Sequence, residues 1–263
     1  MNAIILAAGK GTRLGKITEE HPKCLVSVGD RTILENMLEN LLAVKVEEVT
    51  IVIGYLGNLI KEKIGSSFHG LKINYVENEI FNTTGTAFSL WKGMHKIFSS
   101  EENSINKSIL ILEGDVFFEL KLLQDFIAIQ HCNSTLVEKY REGLDGSFVE
   151  LDQYNQVLQW LHKDMRDPEH SILEMYKTIN IHKFASASIR NNFLPLLSKL
   201  AFKKQHISLE YVFHEMVKEG KCSIYAYQND GKNWVEIDDV NDLKQAEAIF
   251  APVLPNVEYE MVY

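Results

Sequence analysis

The chain has 263 residues, 46% hydrophobic and 24% charged, with a formal net charge of -9. That is enough apolar material for one large domain or a domain with an appendage, and so acidic a balance argues against broad binding to nucleic acid or anionic membranes. Cys24, Cys132 and Cys222 fit neither a disulfide framework nor zinc spacing, which predicts a reducing cytoplasm; no signal-peptide pattern opens the chain, and no apolar run reaches the ~18 residues of a membrane span.

The apolar run Asn2 to Leu6 reads as a buried first strand. A glycine-rich, cationic loop, "LAAGKGTRLGKITEEHPKCL" (6–25), follows it. Ile33, Leu34, Met37, Leu38, Leu41 and Leu42 then recur at helical spacing. Further strands are predicted at Glu48 to Ile53, Leu71 to Val76 and Ile109 to Leu112, with a helix through Phe88, Trp91, Met94, Ile97 and Phe98. Strands alternating with helices predict parallel βαβ units with right-handed crossovers. Ligands of such sheets sit beyond the carboxyl ends of the strands, where the 6–25 loop lies.

After about residue 140 the pattern changes. Ser147 to Leu151 and Val157 to Leu161 read as a hairpin joined through Gln153, Tyr154 and Asn155, and a polar stretch, Lys163 to His170, follows. Tyr176 to Lys183 is strand-like, Ala185 to Phe202 and Ser208 to Glu219 are helical, Cys222 to Tyr227 is a strand, and Asp239 to Phe250 is a last helix. The second half is expected to pack on the first as a substrate lid.

Three phosphate-binding patterns compete for the first loop. A dinucleotide fingerprint needs glycine at position 14, where Leu14 stands. A Walker A loop fails at Lys10 and Ile17. The third is a loop that wraps a nucleoside triphosphate: backbone N–H groups of Gly9 to Thr12 form an anion nest, and Arg13 and Lys23 add charge.

The run Ala7-Ala8-Gly9-Lys10-Gly11-Thr12-Arg13-Leu14, then Thr18, then Pro22-Lys23, resembles the signature of the nucleotidyltransferases that make sugar nucleotides and CDP-activated head groups. Many members carry an arginine-proline pair after the leucine; Gly15-Lys16 stands here. Within that superfamily "YKTINIHKF" (176–184) and "WVEIDDVNDLKQAE" (234–247) are most similar to the small phosphocholine-type cytidylyltransferases. The resemblance implies an α/β fold: a Rossmann-like, mixed, mainly parallel sheet flanked by helices, of the GT-A-like nucleotidyltransferase type, with a small substrate-lid insertion. It implies one domain over 1–263. Residues 1–140 would be the nucleotide-binding half and 141–235 the acceptor-binding lid region. Residues 236–263 would carry the second metal carboxylate and the C-terminal helix.

The resemblance also implies the chemistry. An acceptor phosphate or phosphonate oxygen attacks the α-phosphorus of CTP, pyrophosphate leaves, and Mg2+ assists. Arg13 and Lys23 become the catalytic cations. Leu6, Ala7, Ala8, Gly9, Gly11, Thr12, Arg13 and Lys23 join Gly85, Thr86, Ala87 and Glu113 around the nucleotide. Asp115, ending the strand of "ILILEGDVFFE" (109–119), and Asp238 become the magnesium ligands, with Asp239 the competitor for the second place. Glu113 shares a strand face with Asp115 and fits behind it. An anionic acceptor needs no general base, so catalysis reduces to positioning and charge stabilisation.

The acceptor site is thinner in the sequence. Lys177 is a candidate for the acceptor phosphate; Tyr176, Trp234 and Tyr140 are candidates for a choline-type cation, and Glu210 or Glu236 for a primary amine. Such aromatics are more often core, and a strand lysine is as often merely exposed. The expected partners are CTP and a small phosphorylated or phosphonate acceptor, with no nucleic acid and no membrane. A sugar-1-phosphate nucleotidyltransferase shares every residue of the phosphate loop and is the runner-up. A non-catalytic nucleotide-binding domain is the third reading, and it predicts a degraded metal site.

Overall fold

The computed structural model describes residues 1–99, 107–166 and 171–250. Its first half comprises β1 (Asn2–Ala7), α1 (Ile17–Glu20), β2 (Ser27–Val28), β3 (Arg31–Thr32), α2 (Ile33–Ala43), β4 (Glu48–Ile53), α3 (Gly57–Ile64), β5 (Ser67–Phe68), β6 (Leu71–Glu77), α4 (Thr86–Phe98), β7 (Ile109–Glu113), β8 (Val116–Phe118) and α5 (Leu120–Ala128). The second comprises β9 (Ser134–Lys139), β10 (Phe148–Leu151), β11 (Val157–Leu161), β12 (Tyr176–Phe184), α6 (Ser186–Ser188), α7 (Leu194–Lys203), α8 (Leu209–Lys218), β13 (Tyr225–Gln228), β14 (Trp234–Glu236) and α9 (Val240–Phe250).

β1 is buried along its whole length because β4 and β7 flank it and helices cover both faces. On one face Ala3 and Ile5 meet Leu34, Met37, Leu38 and Leu41 of α2. On the other, Ile4 and Leu6 share an apolar cluster with Leu90 and Met94 of α4. A strand buried on both faces reads as a continuous apolar run, as "AIIL" does. The sheet order is β11-β10-β12-β7-β1-β4-β6-β5, with β9 and β13 joined through β12. β7, β1, β4 and β6 are parallel, and β12 runs antiparallel to β7. This is the expected α/β architecture, a mixed, mainly parallel central sheet between helices, and strands from both halves of the chain build it. α2 begins with a capping box, in which Thr32 and Glu35 satisfy each other's backbone N–H groups.

Two boundaries differ from the sequence reading. The helix expected over 185–202 is divided into α6, a π-helical turn at Ile189–Phe193 and α7. Pro195, in the first turn of α7, has no N–H to donate backward, so a continuous α-helix is interrupted there. The strand expected at 222–227 is β13, which starts at Tyr225, where pairing with Ser134 of β9 begins. Of the polar stretch 163–170, Lys163–Met165 forms a 3-10 turn and 167–170 lie outside the described residues; so do 251–263 of the C-terminal segment.

A two-stranded ribbon positions the site. β8 and β14 pair antiparallel, Glu236 opposite Val116, and the Ile237 N–H donates to the Asp115 carbonyl at 2.9 Å. Residues 236–238, late in the chain, thereby lie beside the end of β7.

Candidate active site

The loop after β1 is shaped by its glycines. Gly11 is left-handed at φ 64°, and a Cβ there would lie 2.8 Å from the Lys23 Cβ, so the lysine stem needs glycine beneath it. The Thr18 hydroxyl donates to the Gly11 carbonyl at 2.9 Å and to that of Gly15 at 3.2 Å, tying the loop shut. Pro22 holds an extended φ of -64° just before the 3-10 turn Lys23–Leu25, which aims Lys23 at the strand ends.

There the Lys23 ammonium donates to Asp115 Oδ2 at 2.8 Å and to Asp238 Oδ1 at 2.7 Å. Arg13 Nη2 lies 2.7 Å from the same Asp238 oxygen. Burial pushes the Asp238 carboxyl upward, but the Lys23 and Arg13 cations outweigh it, and the group sits below the usual carboxylate range. Burial disfavours the charged Lys23 in turn, and the two aspartates more than restore it, raising its pKa.

Asp115, Glu236 and Asp238 each offer an oxygen, all within 4.8 Å of one another. Asp115 Oδ1 is enclosed without a hydrogen-bond partner among the described residues. An all-carboxylate donor set with an unused oxygen fits a hard divalent cation such as Mg2+. Asp239 is engaged otherwise. Its Oδ1 accepts from the N–H groups of Asn241 at 2.6 Å and Asp242 at 3.1 Å, capping α9. Of the two candidates, Asp238 is the one that joins the cluster.

Two cavities meet here. One of about 270 Å³ is lined by Leu6, Ala7, Gly9, Gly11, Thr12 and Lys23. The other, about 630 Å³, is lined by Lys177, Asn180, Glu210, Trp234 and Glu236 and rimmed by residues 141–147. Arg13, Thr86, Glu113, Asp115 and Asp238 line both, so the carboxylates and Arg13 stand at the junction.

Some expected site residues are placed differently. The Ala8 carbonyl accepts from the Tyr55 N–H at 3.1 Å, and its side chain is buried. Gly85 is turned to the 205–207 segment: its N–H donates to the Gln205 carbonyl at 2.7 Å, and a Cβ would lie 2.0 Å from the Ile207 carbonyl oxygen. Ala87 packs in the apolar core. Only Thr86 of this triplet reaches the cavities, while its hydroxyl accepts from the Leu209 N–H at 2.8 Å. Tyr176 lines neither cavity, because strand alternation turns it away from Lys177, and the Lys139 ammonium lies 5.0 Å from its ring centre. Tyr140 packs edge-on against Phe148. Trp234 borders the larger cavity but is 7% exposed, and its indole N–H donates to Glu138 at 3.2 Å.

Lys177 is 2% exposed and donates to Glu236 Oε2 at 2.8 Å and to the Thr178 carbonyl at 2.6 Å. Asn180 Nδ2 donates to the other Glu236 oxygen at 3.0 Å. Asn180 is a residue the sequence reading did not single out. It is left-handed at φ 59°, where the pairing of β12 with β9 shifts register. Asparagine tolerates that conformation, which was the available signal. Burial raises the Glu236 pKa against the pull of Lys177. Burial, then the charges of Glu210, Asp115 and Glu236, raises that of Glu113 well above the carboxylate range, with Lys177 opposing.

A model of the nucleotidyl transferase family matches residues 2–250. The chain belongs to that family. It is 28% identical over 253 residues to the CMP-5'-(3-aminopropyl)phosphonate synthase of Streptomyces rubellomurinus, covering 96% of this chain and 39% of that protein. It is 32% identical over 165 residues to the D-glycero-alpha-D-manno-heptose 1-phosphate guanylyltransferase of Campylobacter jejuni, covering 62% of this chain and 69% of that one. The chain spans about half the length, or less, of several curated relatives it matches. In fold it is similar to the CTP:phosphocholine cytidylyltransferase of Streptococcus pneumoniae, with a TM-score of 0.72 at 21% identity over 94% of this chain and 98% of that one. Among the described residues, no helix is long and apolar enough to cross a membrane.

Proposed function

We propose that the protein transfers CMP from CTP to a small phosphate or phosphonate acceptor and releases pyrophosphate, with Mg2+ as cofactor. The observation that carries the reading is the junction: Lys23, Arg13, Asp115 and Asp238 stand together where the smaller cavity opens into the larger. The smaller cavity, floored by the glycine loop, takes the nucleotide, and the larger takes the acceptor. An acceptor oxygen approaches from the larger side, forms a bond to the α-phosphorus, and the bond to the bridging oxygen of pyrophosphate breaks. The nucleophile is already anionic, so no proton has to be removed.

In this reading the backbone N–H groups of Gly9 to Thr12 hold phosphate oxygens. Arg13 meets charge developing on the leaving pyrophosphate, and Lys23 keeps the anionic acceptor and the α-phosphate together against their repulsion. Asp115 and Asp238 would hold the magnesium ion, which when bound neutralises phosphate charge. Lys177 and Asn180 fix Glu236 behind that pair. Residues 1–140 serve as the nucleotide half, with 141–235 and the ribbon residues completing the acceptor side.

The similarity to a CMP-phosphonate synthase over nearly the whole chain supports this acceptor class. The similarity to a heptose 1-phosphate guanylyltransferase favours the second reading, a sugar-1-phosphate nucleotidyltransferase. A pyrophosphate-release screen that crosses CTP, UTP, GTP and dTTP with phosphonate, phosphate-ester and sugar-1-phosphate acceptors separates the two.

A further inference from the structure

Within the larger cavity the carboxylates are not equivalent. Both oxygens of Glu236 are taken, by Lys177 and Asn180. Asp238 is held by Lys23 and Arg13, and Asp239 and Asp242 accept backbone N–H groups around the start of α9. Asp115 Oδ1 belongs to the metal cluster, Glu142 stands on the exposed rim and Asp145 pairs with Arg166 at 3.4 Å, which leaves Glu113 and Glu210 on the inner wall. Glu113 Oε1 is enclosed and has no hydrogen-bond partner among the described residues. Glu210, in the first turn of α8, lines the same cavity. Among the described residues its carboxylate has no hydrogen bond or ion pair. A buried, unpaired carboxylate oxygen beside a second carboxylate is a costly arrangement in a folded protein. The Lys177 charge eases this without a hydrogen bond to either carboxyl. Its Nζ donates to Glu236 and the Thr178 carbonyl, and Gly146, where a Cβ would lie 3.0 Å from the Lys177 Cε, closes over its stem.

We infer that Glu210, with Glu113 on the junction side of the same cavity, forms the subsite for a primary ammonium of the acceptor, and that this subsite selects against a trimethylammonium. A primary ammonium carries N–H donors that need acceptors, and this wall supplies unpaired carboxyl oxygens. A trimethylammonium has no N–H and is recognised by aromatic faces. Among the described lining residues the only indole or phenyl-type ring is that of Trp234, already buried and bonded to Glu138. The cavity thus offers charge and hydrogen-bond acceptors, not an aromatic cage. The inference rests on the CMP-transfer reading for which end of the acceptor reacts; the recognition of the other end has its own readout.

The test uses the full chain with Mg2+ and CTP, and compares 2-aminoethylphosphonate, its N,N,N-trimethyl derivative and ethylphosphonate, which share one nucleophile. CMP transfer gives kcat/KM, and calorimetry gives binding of each compound without turnover. The aminated compound is expected to exceed both others by about tenfold or more, the scale of a hydrogen bond to a charged group. In Glu210→Gln the ratio of aminated to unaminated acceptor is expected to fall toward one. If all three phosphonates react equally, or the trimethyl compound wins, the subsite is overturned while CMP transfer stands. If none reacts, CMP transfer to phosphonates fails, and the calorimetric preference decides the subsite: equal or absent binding of the aminated compound overturns it.

Discussion

Lys23 and Asp115 stand 92 positions apart in sequence and meet at 2.8 Å, with Asp238 2.7 Å from the same ammonium. One cation thus joins the first loop, the end of a central strand and the C-terminal ribbon. The ordering it provides follows from its surroundings: Gly11 lies under the stem, and Pro22 fixes the backbone before it. Lys23→Ala is expected to lower kcat by about 100-fold or more, on the scale of a lost oxyanion donor, with a much smaller change in CTP affinity. Steady-state kinetics together with CTP titration check this. An interaction made mainly in the transition state lowers kcat and kcat/KM together, so a variant in which only the KM for CTP rises would make Lys23 a ground-state contact.

Asp115→Asn and Asp238→Asn are expected to abolish magnesium-dependent turnover while the chain stays folded. Both aspartates belong to the cluster at the cavity junction. Asp239→Asn is expected to keep most activity, because asparagine caps a helix about as well as aspartate; Asp239→Ala should cost about 1 kcal/mol of stability. Activity assays over a magnesium series, with thermal unfolding beside them, check the set. A crippled Asp239→Asn beside an active Asp238→Asn would reverse the assignment.

Gly85→Ala is expected to destabilise the chain by more than about 2 kcal/mol, because the added methyl would lie 2.0 Å from the Ile207 carbonyl oxygen, a backbone atom. The damage falls on the docking of the 205–207 segment to the start of α4. Denaturant unfolding measures it; a variant as stable as the parent would show that this segment yields.

Stability should also carry a histidine signature. His182 is buried against Trp160 and Phe213, and Thr135 Oγ1 lies 2.9 Å from its Nδ1. Burial, with the Lys177 charge adding, lowers its pKa to about 3. In the unfolded chain histidine takes its proton near pH ~6.5. Between those values the unfolded state binds a proton that the folded state refuses, so stability is full above pH ~6.5 and falls as pH drops toward 3. The slope from this one group approaches about 1.4 kcal/mol per pH unit. Unfolding free energies at pH 7, 6 and 5 should show a shallower fall in His182→Gln than in the parent. Equal slopes would mean that His182 titrates alike in both states.

The glycine loop after β1 and the central strands were legible in the sequence because both are local. An apolar run of period one reads as a strand buried on both faces, and a glycine-cation motif of fixed spacing reads as a loop for phosphates. The joining of Asp238 to Asp115 was reachable through family resemblance, but its cause, the β8–β14 ribbon, is a long-range pairing of strands only three residues long. The acceptor wall was less legible. Strand alternation decides that Lys177 faces the cavity and Tyr176 does not, yet nothing local says which face is which. Lys177 bonds one Glu236 oxygen, and Asn180, left-handed within β12, bonds the other; neither pairing can be read from local sequence. Gly85 is non-local in the same way, since the backbone that packs against it is more than a hundred residues downstream.

CMP transfer to a small aminated acceptor is tested most directly by pyrophosphate release, followed with magnesium and each of CTP, UTP, GTP and dTTP, with 2-aminoethylphosphonate or glucose-1-phosphate as acceptor. CTP with the aminophosphonate is expected to give the highest kcat/KM, at least about tenfold above any sugar-phosphate pair, the ratio expected of one charged contact. A sugar phosphate ahead by tenfold or more, with any nucleotide, would contradict it and make the protein a sugar-nucleotide enzyme.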